Sequence, residues 1–145
     1  MSTPPIERVP VAEGLFTWPS DSPRLLGSRC DSCGETTFPV QQGCPSCNSH
    51  ASKAIPLSPR GTLWTWTIQN FPPPHPYIGD AENFVPYGVG YIELPEGVRV
   101  ESRLTESDPQ ALSIGMEMEL TLEPFGNDDE GREIVTFAFR PVADA

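Results

Sequence analysis

The second half of the chain alternates apolar and polar side chains with a period of two, which is the pattern of half-buried β-strands. The pattern begins at Arg60, and Trp64, Trp66 and Ile68 would share one face of the first strand. Polar residues at positions 65, 67 and 69 would occupy the opposite face. This alternation predicts that both tryptophans are core residues.

Four further strands are predicted near residues 87–94, 98–103, 116–123 and 134–140. Their inward-facing side chains are expected to be Val98, Val100, Ser102, Met116, Met118, Leu120, Leu122, Val135, Phe137 and Phe139. The sequence Pro-Glu-Gly at 95–97 predicts a three-residue hairpin loop, with Gly97 at a positive φ. Gly88 and Gly90, in the strand before it, would permit sharp coiling or a close approach of another backbone.

A longer break separates the third predicted strand from the fourth, at residues 105–115, and leaves room for one turn of helix. Five short strands with a connector after the third follow the plan of an OB-fold barrel. A five-stranded open sheet is the alternative, but it would leave two strand edges that need protection. The pattern therefore favours a mainly β protein in which residues 57–145 form a five-stranded OB-fold barrel.

The first half of the chain contains four cysteines in two Cys-x-x-Cys pairs. The first pair is Cys30 and Cys33, and the second pair is Cys44 and Cys47. Ten residues separate the two inner cysteines, which is enough for one hairpin between the turns. Four thiolates at this spacing suit a tetrahedral structural zinc ion with no open coordination position. The pairs therefore predict a metal site.

Two other uses of the cysteines stay open at this point. Disulfides would need an oxidising compartment, yet the first residues show neither a basic start nor an apolar run, so no secretory signal is visible. A reducing cytoplasmic location then favours a metal. Iron is the rival metal, because the two pairs also resemble the knuckles of rubredoxin. The close spacing favours a zinc ribbon.

The rubredoxin-like zinc ribbon is expected to span residues 25–56. Phe38 and Val40, at the end of its first hairpin, are expected to cover the metal. His50 lies just beyond the second cysteine pair. Four thiolates already complete a tetrahedral shell, so a surface histidine is the simpler interpretation.

Residues 1–24 are punctuated by prolines around a short aromatic segment and are interpreted as an N-terminal arm. One interpretation is an unstructured tail. The other is an arm that buries Phe16 and Trp18 against a partner or the ribbon, because exposed aromatic side chains are costly to leave in water. The sequence leaves both open.

Two loops of the predicted barrel would lie at the same end and flank the usual OB-fold binding face. The first spans residues 71–86 and the second spans residues 124–131. A proline run stiffens the first loop, so presenting its side chains to a partner would lose less entropy. The candidate contacts with a partner or a substrate passage are Phe71, His75, Tyr77, Phe84 and Tyr87.

The charge of the chain narrows the choice of partner. The formal net charge is −11 and Lys53 is the only lysine, so the basic stripe of a nucleic-acid binder is absent. No stretch reaches the length of a membrane span. An acidic chain is suited to docking on a basic protein face. We therefore expect neither a nucleic acid nor a membrane as partner.

Several strings in this order resemble a known family, in which a rubredoxin-like zinc ribbon precedes an OB-fold and the chain accompanies a thiolase-type acyl-CoA enzyme. The matching strings are residues 29–34 (RCDSCG), 38–39 (FP), 44–47 (CPSC), 57–67 (LSPRGTLWTWT), 86–94 (PYGVGYIEL) and 112–118 (LSIGMEM). The likeness covers roughly residues 25–140. One departure is at the front, where such proteins often begin with a short helix, whereas Pro19 and Pro23 argue against a continuous helix here.

The resemblance implies an accessory subunit. Members of the family pair with thiolase-fold proteins that make or cleave carbon–carbon bonds in CoA thioesters, including retro-aldol cleavage of steroid side chains and thiolysis. In those assemblies the catalytic groups lie on the thiolase-like chain, while the ribbon–barrel subunit supports assembly and the substrate passage. For this chain the resemblance implies a non-catalytic subunit of an acyl-CoA lyase, with the CoA thioester at or near the interface. A thiolase or an acyl-CoA hydratase is the alternative enzyme.

The residues themselves offer little chemistry for catalysis. With the four cysteines committed to a metal, no thiolate nucleophile is left. His50 and His75 are the only histidines, and neither lies in a recognisable catalytic string. Two functions of other classes remain. One is an OB-fold module for single-stranded nucleic acid, which the acidic charge disfavours, and the other is a small electron carrier with iron at the cysteines.

Overall fold

The structure is a computed structural model that describes residues 7–18, 20–72 and 84–142. These residues form nine β-strands and one turn of 3-10 helix. The strands are β1 (Arg8–Pro10), β2 (Leu26–Cys30), β3 (Thr36–Thr37), β4 (Ser52–Pro56), β5 (Arg60–Gln69), β6 (Tyr87–Glu93), β7 (Arg99–Leu104), β8 (Glu117–Asn127) and β9 (Glu133–Pro141). Within the described ranges, the helical content includes no segment of the length and hydrophobicity that a membrane crossing requires.

Strands β5, β6, β7, β9 and β8 follow one another around a closed barrel. Four of the neighbouring pairs are antiparallel, and β7 runs parallel to β9 where Leu104 lies beside Phe139. The backbone N–H of Thr105 donates to the carbonyl of Phe139 at 3.0 Å and completes the closure. The predicted five-stranded OB-fold barrel is confirmed, and the open sheet is excluded because every barrel strand has two neighbours.

The inside of the barrel is filled mainly by apolar side chains of the barrel strands. The least exposed of these are Leu63, Ile92, Val100, Met118 and Phe139. The 95–97 hairpin has Gly97 at a φ of 90°, as predicted, and the Gly97 amide donates to the carbonyl of Leu94 at 2.9 Å. The connector between β7 and β8 contains the expected turn of helix, a 3-10 turn at Pro109–Ala111.

The first barrel strand departs from the predicted pattern at Trp64. Leu63 pairs with Ile92 and Thr65 pairs with Tyr91, so Trp64 is an extra residue in β5, which is the definition of a β-bulge. The bulge turns Leu63 into the core, whereas the Trp64 side chain is 45% exposed. The prediction that Trp64 is a core residue is wrong, while Trp66 does pack against the core.

The ribbon is a three-stranded antiparallel sheet in the order β3-β2-β4. Phe38, which was expected to cover the metal, lies edge to face with Phe137 of β9, with ring centroids 5.7 Å apart. Val40 stays 42% exposed. Phe38 therefore belongs to the contact between ribbon and barrel, a contact between residues almost a hundred positions apart.

The described part of the N-terminal arm is folded against the rest of the chain. Strand β1 pairs in parallel with the first half of β9, from Arg8 opposite Glu133 to Pro10 opposite Val135. Phe16 forms an isolated β-bridge with Leu25 and is buried in the hydrophobic core cluster. The structure thus supports the arm that buries Phe16, with this chain's own core as its partner. The boundaries of arm, ribbon and barrel at residues 25 and 57 stay predictions.

Gly90 illustrates why the barrel needs glycine in β6. A Cβ atom at this position would lie 2.8 Å from Cδ1 of Leu63 and 2.9 Å from the backbone oxygen of Thr65. Because a backbone oxygen in a paired strand cannot move aside cheaply, we expect Gly90→Ala to destabilise the protein by about 1–3 kcal/mol. Urea unfolding measures this. Gly43→Ala is the control, since its nearest side-chain contact would be 3.4 Å away, and an equal loss in both variants would contradict the steric explanation.

Candidate metal centre and outer barrel face

Two turns of nearly identical backbone geometry present the four thiols. In the first turn the N–H of Cys30 donates to the carbonyl of Glu35, and the N–H of Gly34 donates back to the carbonyl of Cys30, both at 2.9 Å. In the second turn Cys44, Asn48 and Ser49 repeat these bonds at the same offsets, at 2.8–2.9 Å. The residue four positions after the first cysteine has a positive φ in each turn, 80° at Gly34 and 62° at Asn48. Each Cys-x-x-Cys pair therefore closes a tight knuckle.

The four sulfur atoms converge on a single point. All of them lie within 4.8 Å of one another, with Cys30 Sγ 3.6 Å from Cys47 Sγ and Cys33 Sγ 3.5 Å from Cys44 Sγ. A tetrahedron with Zn–S bonds of about 2.3 Å has edges of about 3.8 Å. The arrangement fits a four-coordinate ion, whereas two disulfides would divide the sulfurs into two bonded pairs.

Backbone amides point at these sulfurs and favour their thiolate form. The N–H of Cys33 is the main cause that lowers the pKa of Cys30 to about 6; partial loss of water opposes it, and the Ser32 N–H assists. The N–H of Ser46 donates to Cys44 Sγ at 3.4 Å. Thiolates are the metal-binding form of cysteine, so amides aimed at sulfur are what a metal site needs around its ligands.

The thiols also oppose one another's ionisation. The N–H of Glu35 lowers the pKa of Cys33, but the neighbouring Cys44 thiol, loss of water, and the Cys47 and Cys30 thiols together raise that pKa to about 12. The pKa of Cys47 is raised as well, with the Ser49 N–H lowering it and the Cys30 thiol raising it. Four negative sulfurs in this space therefore call for a cation among them.

His50 is exposed, and the metal-capable group found within the described residues consists of the four cysteines alone. This agrees with the interpretation of His50 as a surface residue. The ligand set is thus all sulfur, with two buried members, Cys30 and Cys44, and two exposed members, Cys33 and Cys47. A closed set of this kind leaves no position for a substrate.

Three of the residues expected to contact a partner are described, and they lie at one end of strands β5 and β6. Phe71 follows β5 and is 70% exposed. Phe84 and Tyr87 lie edge to face, with ring centroids 5.8 Å apart. His75 and Tyr77 lie outside the described residues. The structure therefore brings Phe84 and Tyr87 together and places Phe71 at the surface.

Arginines on β7 lie over aromatic rings on the outer barrel face, and sequence reasoning missed this arrangement. The Arg99 guanidinium lies 3.9 Å from the ring centroid of Trp64. The Arg103 guanidinium lies 4.0 Å from that of Tyr87 and 5.5 Å from that of Phe125. The signal in the sequence was the adjacent apolar pair Leu63-Trp64, which interrupts an otherwise alternating strand.

Two family models match this chain. Residues 18–51 match the model described as ChsH2, rubredoxin-like zinc ribbon domain, and residues 54–123 match the model described as ChsH2, C-terminal OB-fold domain. The first matched segment contains β2, β3 and all four cysteines, and the second contains β5, β6, β7 and the first part of β8.

Curated relatives and a solved structure extend the similarity over most of the chain. The benzoylsuccinyl-CoA thiolase subunit BbsA of Thauera aromatica is 36% identical over 130 residues, which cover 88% of this chain and 85% of the relative. A DUF35 domain-containing scaffold protein of Methanocaldococcus jannaschii is 31% identical, covering 81% of this chain and 82% of the relative.

The solved structure is the Ltp2-ChsH2(DUF35) aldolase, of which one chain superimposes with a TM-score of 0.62 at 28% identity. The superposition covers 83% of this chain and 86% of that chain. The chain therefore belongs to the ChsH2-type DUF35 family, in which a rubredoxin-like zinc ribbon precedes an OB-fold domain.

Proposed function

We propose that this chain is the non-catalytic accessory subunit of a thiolase-fold acyl-CoA carbon–carbon lyase, in which it supports assembly and the passage of substrate. The observation that carries the proposal is the match over most of its length, ribbon and barrel together, to a thiolase subunit and to a chain of an aldolase complex. Because the match includes both the ribbon and the barrel, it supports the role of a whole subunit rather than that of a single domain shared with unrelated proteins.

The four cysteines would hold a structural Zn²⁺ ion, with iron as the less favoured metal. The ion would cross-link two knuckles in a segment whose strands are only two to five residues long. Since the thiolates are used as ligands, no cysteine nucleophile is left for catalysis. The catalytic groups would then lie on the thiolase-like subunit.

The end of the barrel that carries Phe71, Phe84 and Tyr87 would face the substrate passage, with the CoA thioester at or near the interface. His75 and Tyr77, within the same connection, stay candidates of the same kind. Exposed apolar side chains beside aromatic pairs suit contact with an acyl group or with the partner.

The finer assignment of the reaction rests on the family. Retro-aldol cleavage, including that of steroid side-chain CoA thioesters, is the reaction we propose, and a thiolase is the alternative that the BbsA similarity favours; an acyl-CoA hydratase is a further alternative. Nucleic-acid binding is disfavoured by the net charge of −11. The thiolate site is consistent with the reducing cytoplasm as the place of action.

The proposal is tested by co-expressing the tagged chain with each thiolase-fold protein of the source organism in turn. We expect one of them to form a stable complex that cleaves an acyl-CoA substrate, while the isolated chain shows no turnover. Lyase or thiolase activity of the isolated chain, without a partner, would refute the accessory role. Failure of every thiolase-fold protein to bind would refute the partnership.

A further inference from the structure

Several large apolar side chains stay exposed at the surface. Within the described residues they are Val40, Trp64, Phe71, Val85, Tyr91 and Ile114. Four of the six belong to β5 and β6 or to the residues that adjoin them. Exposed apolar side chains that contact one another, as Trp64 and Tyr91 do, are candidates for an interaction site in a soluble protein.

Trp64 is held in a defined position by two of its neighbours. Its ring lies edge to face with Tyr91, with centroids 6.1 Å apart, and the Arg99 guanidinium covers its face at 3.9 Å. Arg99 is held in turn by Glu93, through an Nε–Oε2 contact of 3.0 Å. The indole is therefore pre-ordered while 45% of the residue stays in solvent.

The bulge that places Leu63 in the core leaves the Trp64 indole at the surface. A bulge leaves a residue unpaired, and here it turns an indole away from the core and towards solvent. Tryptophan, tyrosine and arginine are the residues that most often dominate binding energy at interfaces, and rigid side chains lose little entropy on binding. The arrangement has the properties of an interface anchor.

The anchor continues along β6 towards the other arginine. Tyr87, Val89 and Tyr91 alternate along the strand and therefore share its outer face, over about 13 Å. Arg103, paired in register with Val89, covers the ring of Tyr87. The outer face of β5, β6 and β7 is thus an aromatic strip with an arginine over the ring at each end; we call it the aromatic strip.

We propose that the aromatic strip, with Trp64 at one end, is the surface on which the thiolase-fold subunit docks, and that this subunit presents an apolar pocket bordered by basic side chains. The inference rests on the proposed function, since it names the contact surface for that partner. It shares Tyr87 with the candidate residues at the end of the barrel and adds Trp64, Val89 and Tyr91, which those candidates do not include.

Charge favours the thiolase-fold subunit as the partner over a nucleic acid and over a second copy of this chain. Both arginines of the strip already have acidic partners, Arg99 with Glu93 and Arg103 with Glu123 at 3.1 Å, so neither is free to bind a phosphate. Glu101, exposed and opposite Tyr91, adds negative charge. A second copy of a chain with net charge −11 would bring acid against acid, whereas a basic protein face would be attracted.

The test is the affinity of Trp64→Ala for the thiolase-fold protein that binds the wild-type chain, measured by calorimetry with the zinc-loaded protein. We expect the dissociation constant to rise about 30-fold or more, as for an interface hot spot. Tyr91→Ala probes the same strip should Trp64→Ala fail to fold, and is expected to weaken binding about tenfold. Melting curves and zinc content establish folding in each case.

Ile114→Ala is the matched control, because this side chain is 70% exposed but lies outside the strip. We expect its affinity to equal that of the wild type. Wild-type affinity in both strip variants would overturn the proposed surface and leave the partnership intact, whereas no binding by the wild type would instead refute the partnership. Loss of self-association or of single-stranded oligonucleotide binding in Trp64→Ala, with partner affinity unchanged, would reassign the strip to that other occupant.

Discussion

Cys30→Ser is expected to lose the bound metal and the folded ribbon together. Cys30 ends β2, and its sulfur lies 3.6 Å from that of Cys47 at the point where all four sulfurs meet. Structural zinc contributes about 10–16 kcal/mol to the folding of small zinc modules, more than the whole stability of many domains. Metal content by mass spectrometry should fall from one ion per chain to none. Proteolysis should then cleave within residues 25–56.

His50→Ala is the control for this experiment, since a histidine beside the second cysteine pair is the other residue that could be suspected as a ligand. We expect it to retain one ion and the wild-type melting temperature. Retention of a tightly bound ion by Cys30→Ser, with unchanged melting, would show that the four-thiolate site is not what holds the ribbon. A colourless protein would identify zinc, and a red one iron.

Phe139→Ala is expected to cost about 3–5 kcal/mol, which is the usual loss for a large aromatic side chain removed from a core. Phe139 is fully buried and lies where β9 meets β7, so its removal leaves a cavity at the closure of the barrel. For a chain of this size the melting temperature should fall on the order of 10 °C. Denaturant unfolding of the zinc-loaded protein measures the loss.

Phe71→Ala removes the same side chain from a position that is 70% exposed, and we expect its stability to change by less than about 0.5 kcal/mol. If the two variants lost stability equally, the assignment of Phe139 to the barrel core would be wrong. The pair therefore separates the effect of burial from that of side-chain chemistry.

The metal centre could be predicted from the sequence because its information is local. Two Cys-x-x-Cys pairs need only a tight turn each, and the chain supplies Gly34 and Asn48 at the positions that require a positive φ. The alternation of β7 was equally informative. Val98, Val100 and Ser102 are buried, whereas Arg99 and Glu101, which lie between them, are exposed. A period of two is a property of the strand itself.

The burial of the N-terminal arm and the outward position of Trp64 could not be predicted in this way. A pattern of alternation assigns Trp64 to the same face as Trp66, and only pairing with β6 shows the extra residue that turns Trp64 outward. Likewise, the composition of the segment around Phe16 fits either an unstructured tail or an arm that packs against the protein. Its burial depends on Leu25 and the core beyond it.

By itself the sequence determined the four-sulfur site, the number of barrel strands and which side chains of β7 face inward, because each follows from spacing or periodicity within a short segment. On β9 the alternation was a poor guide, since Thr136 and Ala138 are buried whereas Phe137 is only half-buried. Only the tertiary structure decided that Phe38 joins ribbon to barrel and that Arg99 covers Trp64. Those contacts join residues distant in the chain, and their existence depends on strand register and on one bulge, neither of which a local pattern encodes.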